Sequence, residues 1–403
     1  MRISTQIIFD QNVKSMNQQQ AAFMKVGNQL ATGRRVVNIS DDPLAASRAV
    51  NVQQSKATTQ QLLDSRVAAR NNLAQQESVL NGLGDMITRA KTLMIQAASG
   101  TNSDLDKASV AAELEGIYEA MIGQANVTDG VGRYLFSGQK DDSAPLIRVD
   151  GRVQFVEDIE PREQFIDDNR TMIVRDTAER LFAAAPGSTS YHQKVSANNQ
   201  GTLTLDRLNV VDTGDANFGQ RFTVDFTVDG AGATTYSVSI AGTEVATGTY
   251  NEGQAIEFAG VRIETSGQPS DGDSFTAGRA NQMEPNLFRS MEDAIAALRQ
   301  PTETAEQKAA QQNVISESMR ELDHMLDNTL TRRASVGSRL NELDTLDLVA
   351  KNRILAYEQT LSDLVDLDYV QAASDYSMRM MGLQAAQKTF VDIKSMNLFD
   401  YLR

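Results

Sequence analysis

His192 and His324 are the chain's two histidines, and there is no cysteine among its 403 residues. Imidazole and thiolate supply most nucleophile activation, proton shuttling and zinc ligation, so this pair bounds the chemistry on offer. The two fall in segments of different character, His192 among short β-type runs and His324 within a long helical pattern. A histidine-based metal site or catalytic triad is therefore not expected. Asp271-Gly272-Asp273 opens like a calcium loop but lacks the twelve-residue ligand spacing and the closing Glu, and reads as a turn. Asp141-Asp142 and Asp167-Asp168 read as solvated loop charges. No GxxxxGK[ST] or GxGxxG phosphate-binding pattern occurs. No catalytic residue, metal ligand or cofactor is expected, and an enzyme is the least expected class.

Composition narrows the partners. A net charge of −15 argues against nucleic acid or an anionic membrane. No apolar run approaches the length that spans a bilayer. The segment from Met1 to Gln20 lacks the basic-then-apolar order of a secretory signal. Lack of cysteine excludes disulfides and suits a chain that crosses redox compartments unfolded.

What the chain does carry is helix seams. Near the C-terminus Tyr369, Tyr376, Leu383 and Phe390 fall seven apart. Val365, Ala372, Ala386 and Ile393 share a second seven-spaced row, interrupted at Arg379. Near the N-terminus Met16, Phe23 and Leu30 repeat the spacing. Such rows suit burial against another helix, and antiparallel pairing of the two ends follows. The first helix is expected over about Asn12 to Ala31, with Gly33 as its cap. Ser40-Asp41-Asp42-Pro43 then reads as a helix start or hinge. Asp42 is placed to accept from free amides, Pro43 fits the first helical position, and the acidic pair faces the positive end of the helix dipole. A long helix follows to about Ala98, with Leu73, Leu80, Ile87 and Met94 in a seam. A third runs to about Asn126.

The pattern then turns to β. Arg133 to Gly138 reads as strand-like, and Pro145 to Val156 as a hairpin about Asp150-Gly151. Further strands are expected at 171–174, 202–205, 221–228, 236–240 and 261–265. Residues 141–280 hold 22 acidic against 11 basic residues, so an acidic β insertion interrupts a nearly neutral helical frame. Helix returns at about Glu284. The last long helix, from near Thr304, carries rows through Leu322, Val336, Leu343, Ala350, Tyr357 and Leu364. The seam through Val365 is one residue out of step, a rotation of about 100°, which places a joint around Ser362 to Asp366. The expected fold is mainly α with inserted β: a long antiparallel bundle or coiled coil formed by both termini, plus a small antiparallel β domain in the middle. The expected domains are a terminal coiled-coil assembly layer (1–40 and 365–403), a helical bundle (41–140 and 284–364) and an exposed β-rich insertion (141–283).

Several segments together resemble the flagellin superfamily of axial proteins. Leu30-Ala31-Thr32-Gly33-Arg34 followed by Ser40-Asp41-Asp42-Pro43-Leu44-Ala45-Ala46 is similar to its N-terminal signature. Gly337-Ser338-Arg339-Leu340-Asn341 resembles an element of its returning helix. Arg133 to Gly138, Ser362 to Tyr369, and the ending Leu383 to Gln387 through Leu398 to Leu402 resemble the hook-associated protein 3 branch. Arg403 and the large β insertion depart from the pattern.

The resemblance implies a bacterial protein exported through the flagellar type III apparatus without a cleaved signal, and an extracellular place in the flagellum. It implies partners: further copies in a ring layer, hook-associated protein 1, flagellin, and an export chaperone on the C-terminal helix. It also extends the assembly seam to Leu398, Phe399 and Leu402. Two rivals stay open, a true flagellin subunit and a secreted adhesin whose β insertion binds a ligand.

Overall fold

The computed structural model of the chain describes residues 5–100, 102–157, 159–182, 191–283 and 286–395. The element order is α1 (Thr5–Thr32), α2 (Pro43–Ala97), α3 (Asp104–Ala125), β1 (Leu146–Val149), β2 (Arg152–Phe155), β3 (Arg162–Asp167), β4 (Arg170–Arg175), α4 (Ala178–Phe182), β5 (Tyr191–Val195), β6 (Thr204–Val210), β7 (Phe222–Val228), β8 (Thr234–Ile240), β9 (Thr243–Thr249), β10 (Ile256–Phe258), β11 (Val261–Ser266), β12 (Ser274–Arg279), α5 (Leu287–Arg299), α6 (Ala305–Val365) and α7 (Tyr369–Ser395). The fold is mainly α with small antiparallel sheets, as the periodicities predict. The chain divides into two compact units, one built from residues up to Asp64 with those from Thr345 onward, the other from Ser65 to Asp344.

In the second unit α2 and α6 run antiparallel. Arg70 pairs with Asp344 at 2.7 Å, Arg333 with Glu77 at 3.9 Å, and Lys91 with Asp323, so partners rise on one helix as they fall on the other. The apolar rows drive this pairing. Leu73, Leu80, Leu83, Ile87 and Met94 are buried on α2, as are Leu322, Val336 and Leu343 on α6. Helix α2 runs unbroken through Asn81–Gly84. Helix α3 starts at a reciprocal cap, in which the Ser103 hydroxyl accepts from the Asp106 amide and the Asp106 carboxylate accepts from the Ser103 amide. It packs on α5 through Tyr118 and Phe288, ring centroids 6.2 Å apart.

The hairpin expected about Asp150-Gly151 is β1–β2, with both turn residues at positive φ. A five-stranded sheet (β5-β12-β7-β8-β9) and a three-stranded sheet (β10-β11-β6), both antiparallel, share one core. Alternation sets their faces: Phe222, Val224 and Phe226 point inward on β7, Val261, Ile263 and Thr265 on β11. Strands β3, β5, β9, β10 and β12 were not legible in the sequence. Each is short or rich in Gly, Ala and polar residues, and takes its strand form from its neighbours.

One expectation is corrected here. Arg133–Gly138 forms no strand but a tight crossing segment that makes isolated bridges to Thr128 and Thr177. Leu135, Phe136 and Ser137 are buried. What holds the segment is Arg175, itself buried, with Asp129 at 2.7 Å and Asp141 at 3.1 Å. Asp141 also takes Arg162 at 2.8 Å, so it is a structural ion-pair acceptor and not a solvated loop charge.

Candidate functional site

The first unit is built on α1 and α7. Contacts run antiparallel: Tyr369 lies over Gly33, Tyr376 over Gly27 and Phe23, and Gln19 near Gly382. Phe23 and Tyr376 pack with ring centroids 4.7 Å apart. Of the remaining seam positions, Ala372 is fully buried, while Met16, Leu30, Val365, Leu383, Ala386 and Phe390 are half-buried. Tyr369 stays largely exposed although its hydroxyl reaches Gly33. Ile393 lies within α7, and Leu398, Phe399 and Leu402 lie outside the described residues.

The break between the last two helices falls beside the register slip. Helix α6 ends at Val365 and α7 starts at Tyr369. The connecting residues pair with the chain that leaves α1. Arg34 bridges Asp366, the Arg35 amide donates to the Val365 carbonyl at 2.8 Å, and the Leu367 amide donates to the Gly33 carbonyl at 3.0 Å. The Arg35 guanidinium donates to the Leu364 carbonyl at 2.6 Å, so two of the carbonyls that α6 leaves unpaired at its end are satisfied from the N-terminal side. Asp368 caps α7 by accepting from the Val370 and Gln371 amides at 2.9 and 3.1 Å.

The acidic pair at the start of α2 does two different jobs. Asp42 accepts from the Ala45 amide at 3.0 Å and pairs with Arg35 at 3.2 Å, which links the start of α2 to the joint. Asp41 accepts from the Asn38 amide at 2.9 Å and from Lys25 of α1 at 3.0 Å. Those hydrogen bonds hold both carboxyls below the ordinary carboxylate range, the Asn38 amide leading for Asp41 and the Ala45 amide for Asp42. Pro43 opens α2 and Ser40 is exposed.

A pair of helices has one mutual seam, and these two carry more apolar surface than it covers. Helix α7 has Val370 84% exposed, with Met378, Met380, Met381 and Val391 also exposed, while Ile7 and Met24 are exposed on α1. The apolar residues of α7 are spread around its circumference, not gathered on a stripe. Apolar side chains exposed on several faces of a helix leave those faces open to cover by another surface.

The histidine pair departs from expectation. His192 on β5 and His324 on α6 stack at 4.3 Å between ring centroids, although the sequence placed them in separate segments. No third ligand joins them: among the described residues no group of three or more His, Asp or Glu could hold a metal. Asp271-Gly272-Asp273 is a locked turn, its Asp273 carboxylate accepting from the amides of Gln200, Gly201 and Ser270. Among the described residues no helix is long and apolar enough to cross a membrane. Sequence reasoning missed the Arg175 network and the histidine pair. Both join residues remote in sequence, and the one local signal was a run of polar residues at helical spacing on α6.

The chain matches the family model of the bacterial flagellin N-terminal helical region over residues 3–141. It is 31% identical to the flagellar hook-associated protein 3 of Escherichia coli strain K12, over 99% of each chain. It is 32% identical to the protein of that name from Salmonella typhimurium strain LT2, over the full length of both. Its fold is similar to the crystal structure of Xanthomonas campestris FlgL, with a TM-score of 0.66 and 30% identity, covering 77% of this chain and 99% of that one. It also resembles in fold the flagellar hook associated protein-3 of Legionella pneumophila, with a TM-score of 0.68 and 24% identity, covering 78% of this chain and 98% of that one.

Proposed function

The chain belongs to the flagellar hook-associated protein 3 family, and we propose that it is a structural axial protein forming the layer that joins hook to filament in the bacterial flagellum. The observation that carries this reading is the α1–α7 pair, whose mutual seam leaves large apolar residues exposed on the remaining faces of α7. Further copies of the chain cover those faces in a ring. Hook-associated protein 1 then lies on one side of the layer and flagellin on the other. Residues 1–40 and 365–403 make the assembly layer, 41–140 and 284–364 a helical bundle, and 141–283 an exposed β-rich domain.

The work is mechanical, and the chain carries out no reaction. An export chaperone covers α7 before transit, and the protein reaches the outside through the flagellar export apparatus. The hinge at Ser40–Pro43 and the seam residues Phe23, Ala372, Tyr376 and Phe390 are the positions on which assembly depends.

A strain that lacks the gene should make hooks and secrete flagellin that does not polymerise on them. Phe390→Asp should reproduce that defect while the β domain stays folded. Normal filaments on the deletion strain would reject the junction role, and normal filaments with Phe390→Asp would reject the seam.

A further inference from the structure

About three turns of α6 face the β domain with polar groups and not with an apolar stripe. Asn313 grips β6: its side chain donates to the Leu203 carbonyl at 2.8 Å and accepts from the Leu205 amide at 3.1 Å. One turn on, Glu317 pairs with Lys194 of β5 at 3.2 Å. Two turns further, His324 stacks on His192 of β5. The spacing of 313, 317 and 324, with Arg320 and Glu321 between, keeps the set on one side of the helix. Few of these contacts are saturated. The His192 Nε2, the Glu321 Oε2 and both amide atoms of Gln193 are buried without a hydrogen-bond partner. A polar cavity of about 480 Å³ adjoins the seam and is lined by His192, Gln193, Glu317 and Glu321.

We propose that this seam is an acid-released latch, in which protonation of the stacked histidines frees the β domain from α6 while the core of the domain stays folded. Two imidazolium rings at stacking distance repel each other, and Arg320 on α6 and Lys194 on β5 add like charge. Asp323 and Asp327 on α6 soften the repulsion at His324. Asp206 of β6 acts on Arg320, and Asp293 of α5 acts on Glu321.

The direction of each group sets the pH window. Burial first, then His324 and Arg320, pushes His192 from 6.5 down to about 3. Burial also lowers His324. As pH falls from 6.5 toward 3 the released state therefore takes protons that the docked state refuses, and docking weakens. Glu321 works against this. Burial, with help from Glu317 and Asp293, raises it from 4.5 to about 7, so the docked state gains from its proton between 7 and 4.5. The two effects oppose each other down to 4.5, and below that pH the histidines act alone. Glu321 is thus a brace in mild acid, joined by Glu317, whose carboxyl burial also raises, because each tightens docking as it takes its proton.

Amide exchange and histidine NMR on the full-length chain test this. Two histidines give two ring Cε1–H signals, so each titration is read directly. The Leu205 amide reports docking to Asn313, and the Val224 amide reports the sheet interior. In the unmodified chain Leu205 protection should fall below pH 4.5 while Val224 stays protected. Glu321→Gln, neutral at every pH, should show more Leu205 protection than the unmodified chain above pH 4.5 and equal protection below it. His324→Phe, which keeps a stacking ring without a titrating group, should move the loss downward in pH. Histidines that titrate near 6.5 with Leu205 still protected would overturn the latch. So would simultaneous loss of Leu205 and Val224, or weaker Leu205 protection in Glu321→Gln than in the unmodified chain at neutral pH. If His324→Phe lacks protection at neutral pH, the histidine titration and Glu321→Gln decide the question.

Discussion

Tyr376 lies against Phe23 with ring centroids 4.7 Å apart and passes over Gly27 on the same face of α1. It is an aromatic contact that ties the two ends of the chain, within a helix pair whose seam is mostly half-buried. Tyr376→Ala should cost about 1–2 kcal/mol of pairing, a half-buried aromatic plus its ring–ring term. In the free chain, amide exchange across α1 and α7 should already be faster than in α5, because a lone helix pair is marginal. Tyr376→Ala should speed α7 exchange further and leave α5 unchanged. Strong protection at Phe390 in the free chain would show that the pair needs no further partner.

The joint offers a backbone test. Gly33 has φ of +68°, and a Cβ there would lie 2.7 Å from the Tyr369 hydroxyl. Gly33→Ala should cost about 1–2 kcal/mol in left-handed strain. The displaced tyrosine adds to that cost. Exchange of the Leu367 amide, which donates to the Gly33 carbonyl, should rise in this variant.

Arg175 should be the most sensitive residue of the Asp129–Asp141 network. Its side chain is 3% exposed and bridges both aspartates, so Arg175→Ala takes the buried cation from Asp129 while Asp141 keeps Arg162, and should cost about 3 kcal/mol. Arg133, at 49% exposure against the same acids, should cost less than about 1 kcal/mol when cut to Ala. Chemical denaturation of the two variants side by side gives the contrast. Equal losses would mean that the network is not held by Arg175.

The start of α2 should loosen in acid. The Asp42 carboxyl is held below its ordinary value of 3.8 by the Ala45 amide and by Arg35. Its contribution is therefore complete above 3.8 and is lost as pH falls through the lower folded-state value. Exchange at the Ala45 amide should show that loss. Asp42→Asn should flatten the pH dependence without removing the amide contact, since the Asn carbonyl still accepts.

Seven-residue spacing and a one-residue slip sufficed to place α1, α2, α6 and α7 and the joint near Asp366. Those features are local, because helical period and caps depend on residues within a few turns of one another. The antiparallel pairing of the two terminal helices was likewise implied by rows with no partner in their own halves, whereas the contact of Phe23 with Tyr376 was not specified. The Arg175 network, the strand form of β5 and β12, and the stacking of His192 on His324 were not legible. Each depends on groups brought together from sequence positions tens to hundreds of residues apart, and their residue types alone fit solvated loops just as well. Tertiary structure decided which charges are buried, and desolvation in that setting turns ordinary Asp, Glu and His side chains into ion-pair acceptors, a brace and a latch.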